Sequence, residues 1–94
     1  MLIVIANITV KNGKGGELLS KAQNLVDNTR LEEGNIEYNI FSSTEDENDF
    51  VVLEQWTTQD ALDEHLETDH FNQFVKDTED VLAKDIDINV YTVN

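Results

Sequence analysis

The chain has 94 residues, twenty acidic against six basic, a net charge of −14, and no cysteine. That length fits a single domain, residues 1–94, in which only ~60–65% of the unfolded surface is buried. The lack of thiols excludes a disulfide framework and a thiolate zinc site, and six scattered cations argue against nucleic acid or an anionic membrane as a partner.

Leu2 to Val10 is apolar and rich in β-branched residues, which predicts a strand. Leu2, Val4, Ala6, Ile8 and Val10 fall on one face, and Ile3, Ile5, Asn7 and Thr9 on the other. With both faces mostly apolar, the strand is expected to be central and covered on both sides. The opening is too short and lacks the basic leader of a signal peptide. No run approaches the ~18 apolar residues of a membrane span, so a cytoplasmic location is expected.

A turn cluster, Lys11 to Gly16, leads into a helix expected over Glu17 to Glu32, with Leu18, Ala22, Leu25, Val26 and Thr29 as its inner stripe. Gly34 reads as a left-handed stop beyond it. Asn35 to Phe41 predicts a second strand, with Ile36, Tyr38 and Ile40 on one face. After an acidic loop, Phe50 to Trp56 predicts a third, with Phe50, Val52, Glu54 and Trp56 sharing a face. Thr57 or Thr58 is placed to cap a helix lined inside by Ala61, Leu62, His65 and Leu66. Thr68 is placed to cap the next, which buries Phe71, Phe74, Val75 and Thr78. Asp85 to Val93 predicts the last strand. The order β-α-β-β-α-β, with its second helix broken near Thr68, is the ferredoxin-like α+β plan: a four-stranded antiparallel sheet with helices on one face. A second copy of the chain, pairing sheet to sheet, would cover the other face.

Chemistry concentrates where the third strand meets the following helix, which holds the only Trp and both His. Glu54 faces apolar neighbours, an environment that raises a carboxyl pKa towards neutrality; the alternative is a strand-end carboxylate bonded to a loop or a partner. Trp56 is placed to wall a pocket for a flat ligand or to anchor the core. His65 shares the inner helix face, as a general base or as a core imidazole satisfied by a carbonyl. Tyr38 and Asn7 supply polar tips on apolar strands, and Phe71 and Phe74 supply aromatic lining. His65 and His70 are not at helical metal-pair spacing and no third ligand lies nearby in sequence, so no metal is expected. The glycines at 13, 15 and 16 do not make a phosphate loop.

Leu53-Glu54-Gln55-Trp56, Ala61-Leu62, His65 and Thr68-Asp69-His70-Phe71, together with Val4-Ile5-Ala6, Glu33-Gly34 and Tyr38, resemble the antibiotic biosynthesis monooxygenase domain, in particular small bacterial quinol monooxygenase-like members. The resemblance implies a dimeric α+β barrel whose substrate is a small aromatic, a phenol or quinol. Oxidation would use molecular oxygen and no metal, flavin or haem cofactor, with the deprotonated substrate supplying the electrons. It further implies that Trp56 walls the pocket, His65 lies nearest the ring oxygen and Glu54 supports it, with Tyr38 and Asn7 as further ligand contacts. Three features separate this chain from other branches of the family. Val52 stands where aromatic-polyketide oxygenases carry Asn; no Arg follows Arg30; and Phe74-Val75-Lys76 occupies the stretch where haem-degrading members carry His. A dimeric small-ligand or stress-response module without turnover is the alternative function.

Overall fold

A computed structural model describes residues 1–93. Its elements run β1 Leu2–Thr9, α1 Gly15–Thr29, β2 Asn35–Ser42, β3 Asp49–Trp56, α2 Gln59–His65, α3 Asp69–Thr78 and β4 Asp87–Thr92. The strands form one antiparallel sheet in the order β2-β3-β1-β4, so β1 and β3 are central. This is the ferredoxin-like arrangement expected from the alternation of strand and helix periods. No helix among the described residues is long and apolar enough to cross a membrane.

Register decides which side chains share a layer, because successive residues of a strand point to opposite faces. Val4 pairs with Glu54 on one side and Val90 on the other, and Ala6 with Val52 and Ile88. The face carrying Leu2, Val4, Ala6, Ile8, Phe50, Val52 and Trp56 packs with Leu18, Ala22, Leu25 and Val26 of α1 and with Leu62 and Phe74 of α2 and α3. The inner stripe of α1 is the one expected, Leu18, Ala22, Leu25, Val26 and Thr29.

The opposite sheet face carries no helix. Ile3, Ile5, Val51 and Leu53 are half-buried there, and Phe41 and Tyr91 are exposed.

Several boundaries differ from expectation for identifiable reasons. Helix α1 starts at Gly15, where a Cβ would lie 3.0 Å from the Phe50 ring and 3.1 Å from the Glu47 carbonyl. It ends at Thr29 rather than Glu32, because Leu31 and Glu32 donate to the carbonyls of Asn28 and Thr29 in tighter three-residue turns. Glu32 is thereby freed from the helix.

Gly34 is not a left-handed stop; among the described residues Gly13 alone has positive φ. Gly34 is needed for space, since a Cβ there would collide with the Cβ of Ala61. A bulge between Asn35 and Glu37 turns Ile36 out of the face it was expected to share with Tyr38, leaving it 51% exposed.

Thr58 and Thr68 act as caps: each hydroxyl accepts from the backbone N–H three residues on, at 3.1 Å from Ala61 and 3.2 Å from Phe71. Thr68 also donates to the His65 carbonyl at 2.7 Å, so one residue closes α2 and opens α3. Strand β4 is shorter than expected. Its Ile88 and Val90 are exposed, as are Leu66 and Val75, which had been placed on inner helix faces. All four border the cavity described next.

Candidate active site

Between the sheet and the α2–α3 pair lies a cavity of about 660 Å³, inside the ~300–1,000 Å³ range of small-molecule sites. Val4, Ala6, Val52 and Tyr38 form its sheet wall, and Leu62, Phe71 and Phe74 its helix wall. Its exposed members include Ile88, Val90, Leu66 and Val75, together with residues of the segment that leads into β4, so the opening lies on the β4 side. Glu79, Lys84 and Asp85 are exposed members of its lining, whereas the buried acid–base groups that reach it include Glu54 from β3 and His65 from the end of α2.

His65 is 1% exposed, yet its imidazole is not left unsatisfied. Nδ1 lies 2.7 Å from Oε2 of Glu32, in the turn after α1. The same oxygen lies 2.8 Å from Nε2 of His70, in the first turn of α3. With Nδ1 committed to the carboxylate, Nε2 is the nitrogen left for a molecule in the cavity. The ring is clamped by aromatic neighbours: its centroid lies 4.7 Å from Trp56, 5.2 Å from Phe71 and 5.8 Å from Tyr38. Burial pushes its pKa down; the Glu32 hydrogen bond opposes this, and the nearby His70 adds to the lowering. The imidazole is therefore neutral at neutral pH, as a base must be.

Glu54 accepts a 2.9 Å hydrogen bond from the Trp56 indole through Oε1. Burial pushes its pKa up to about 7; the indole bond opposes this and the Glu32 charge adds to it. Its cross-strand neighbour Tyr38 is 4% exposed. Burial, with the negative charges of Glu54 and Glu32, pushes the phenol pKa well above its ordinary value, so Tyr38 stays protonated and is a hydrogen-bond donor.

The structure thus brings His65, Glu54, Tyr38, Phe71 and Phe74 to one cavity. Trp56 is fully buried and is not among the cavity's lining residues; it backs His65 and holds Glu54 instead of forming a wall. Asn7 lies on the outer sheet face, where its amide donates to Asp87 at 3.2 Å, away from the cavity. Glu32, distant from both histidines in sequence, meets His65 and His70 in the fold. Nothing in the sequence marked Glu32 except its place at the expected helix end, beside Glu33-Gly34.

A ferredoxin-like sheet with an apolar cavity and a carboxylate-held imidazole in its wall defines a small-molecule α+β domain. The sequence profile of the family described as "Antibiotic biosynthesis monooxygenase" matches residues 1–77, and the chain belongs to that family. A Bacillus subtilis relative carrying the name "Putative monooxygenase YcnE" is 42% identical over 88 residues, 94% of this chain and 93% of that one. Among solved structures, PA3566 from Pseudomonas aeruginosa is 30% identical with a TM-score of 0.91, covering 99% of this chain and 93% of that one. A Nitrosomonas europaea protein titled "Putative antibiotic biosynthesis monooxygenase" reaches a TM-score of 0.95 at 24% identity, covering 99% and 98%, a likeness of fold.

Proposed function

We propose that the chain is a cofactor-independent monooxygenase that oxidises a quinol or related flat aromatic with molecular oxygen. The observation that carries this reading is His65, held by Glu32 at 2.7 Å, in the wall of a largely apolar, aromatic-lined cavity. His65 Nε2 takes the proton of a ring hydroxyl, and Glu32 holds the imidazole in the tautomer whose Nε2 is a base. The resulting phenolate is electron-rich enough to reduce oxygen. One oxygen atom bonds to a ring carbon and the other leaves as water, so that a naphthoquinol and O₂ give a hydroxynaphthoquinone and H₂O.

The protein's work on this reading is to bind, deprotonate and exclude water. Tyr38 donates a hydrogen bond to a substrate oxygen, Phe71 and Phe74 stack on the ring, and Glu54 is poised near neutrality to exchange a proton. Val52 in the sheet wall supports a second reading, a binding module without turnover, because an apolar residue stands where polyketide-oxidising relatives have an amide. Adding reduced naphthoquinols under air, with a chelator present, separates the two. The enzyme consumes oxygen and forms product; a binder shows a raised melting temperature and no product. Neither effect across the quinol series would remove the aromatic-ligand reading altogether.

We also infer that the chain works as a homodimer through its helix-free sheet face, which carries Ile3, Ile5, Val51, Leu53, Phe41 and Tyr91. The apolar content of that face supports the assembly.

A further inference from the structure

Glu32, His65 and His70 come from three different elements: the turn after α1, the end of α2 and the start of α3. Their ligand atoms, one carboxylate oxygen and two imidazole nitrogens, all lie within 4.8 Å of one another. Two imidazoles and a carboxylate are the donor set of borderline divalent transition metals such as Zn²⁺, Co²⁺ and Ni²⁺, not of Mg²⁺ or Ca²⁺.

Spacing is close to what such an ion needs. Ligand bonds of ~2.0–2.2 Å at a tetrahedral centre place neighbouring ligand atoms about 3.3 Å apart. The carboxylate oxygen now sits 2.7 and 2.8 Å from the two nitrogens, which lie within 4.8 Å of each other, so the ion needs the oxygen to withdraw by about half an ångström and the two nitrogens to settle at a similar spacing. Glu32 sits in a turn and reaches the pair through a flexible side chain. His65 is held rigid by its aromatic neighbours.

The cluster also has a route of its own. A separate polar crevice lined by Asn24, Asn28, Asp69, His70 and Gln73 brings solvent to His70. Asp69 adds a carboxylate at that entrance, and the net charge of −14 concentrates cations around the molecule. Glu32 and His70 are absent from the lining of the large cavity, whereas His65 is part of it. An ion at the cluster therefore sits behind the His65 ring, outside the substrate space.

We propose that Glu32, His65 and His70 form a binding site for a borderline divalent transition-metal ion, and that its occupancy switches the tautomer of His65. An ion on Nδ1 displaces the proton there and leaves Nε2 carrying hydrogen. The cavity then meets a donor where it had met a base, so the ion silences proton abstraction without entering the cavity. The regulatory consequence rests on the function proposed above; the binding site does not.

Zn²⁺ titrated into the chelator-stripped full chain, followed by imidazole ¹⁵N correlation spectra, tests this directly, since the chain has only two histidines. The expected result is one equivalent of Zn²⁺ bound, with His65 moving to the Nε2–H form and His70 ligating through Nε2. Excess Mg²⁺ should not displace it. His70→Gln, whose amide retains a donor for Glu32, should weaken Zn²⁺ binding by at least ~10-fold with an unchanged melting temperature. Glu32→Gln should weaken it similarly. Co²⁺ should give visible bands of a nitrogen-ligated site that His70→Gln abolishes. Binding untouched by both substitutions, displacement by Mg²⁺, or unmoved His65 nitrogens would each overturn the proposal. If the nitrogens respond but no quinol is ever oxidised, the site stands and the monooxygenase reading fails.

Discussion

Glu54 and His65 are buried ionisable groups whose pKa values burial pushes in opposite directions, so that near pH 7 Glu54 is close to its midpoint and His65 is neutral. For Glu54 the raised folded pKa, from 4.5 to about 7, sets the sign of a stability effect. Below pH ~4.5 the group is protonated in both states and costs nothing; as pH rises towards 7 the unfolded state ionises first and the fold loses stability, of order 3 kcal/mol once both are ionised. Glu54→Gln should remove that loss: in urea melts its advantage over the parent should grow from pH 4.5 to pH 7 and then level off. An advantage that is flat across that range would mean the carboxyl is not desolvated as described. His65 has the opposite linkage, since a lowered folded pKa supports stability above pH ~6.5 and forfeits it as pH falls through the folded value.

Glu54, His65, Tyr38, Phe71 and Phe74 were legible in the sequence because period two and period 3.6 say which face each occupies. Glu32 was not. Its contact with His65 spans 33 residues and depends on α1 ending at Thr29, three residues before the expected end at Glu32. On the function proposed here, Glu32→Gln should lower kcat with the quinol at least ~10-fold while leaving KM nearly unchanged, because the carboxylate acts through His65 and not on the ring.

At the scale of elements, the site depends on how α2 and α3 are hung from β3. Thr58 starts one helix, and Thr68 ends it and starts the next, so His65 and His70 are set by the same three-residue joint. Thr68→Ala removes a cap worth ~1 kcal/mol, and in addition its bond to the His65 carbonyl. A loss in that range by denaturant unfolding is the expected outcome. Gly34 fixes the other side of the joint by letting the chain after α1 press against Ala61. Gly34→Ala should cost ~1–3 kcal/mol through overpacking, and Gly34→Ala combined with Ala61→Gly should recover part of it. Failure of the double variant to recover any stability would show that contact is not the reason for the glycine. Sequence reasoning assigned Gly34 to backbone freedom because glycine after a helix usually supplies it; steric need leaves no mark in a single sequence. The Ile36 bulge was hidden for a related reason, since the alternation continues across it and only pairing with β3 shows the slip.

For the whole molecule, the topology followed from the sequence because each segment carries one dominant period, and short loops leave few ways to connect them. What covers the helix-free sheet face could be inferred only from its apolar content. Sedimentation at micromolar concentration should give the mass of two chains, and Leu53→Glu should convert it to one by placing a charge at the centre of that face. A monomeric parent chain would contradict the pairing. The cavity opens beside β4, near the edge of the sheet, so pairing through the flat face would leave its entrance accessible.

The central claim is that His65, held by Glu32, removes a proton from an aromatic hydroxyl so that the substrate itself reduces oxygen. The most direct measurement is oxygen uptake with a reduced naphthoquinol at pH 7.5, in a chelator, comparing the parent chain with His65→Ala. Uptake well above the uncatalysed rate, reduced ~10²-fold or more in the variant with its folded mass intact, is the expected result. Equal uptake by both proteins would contradict it.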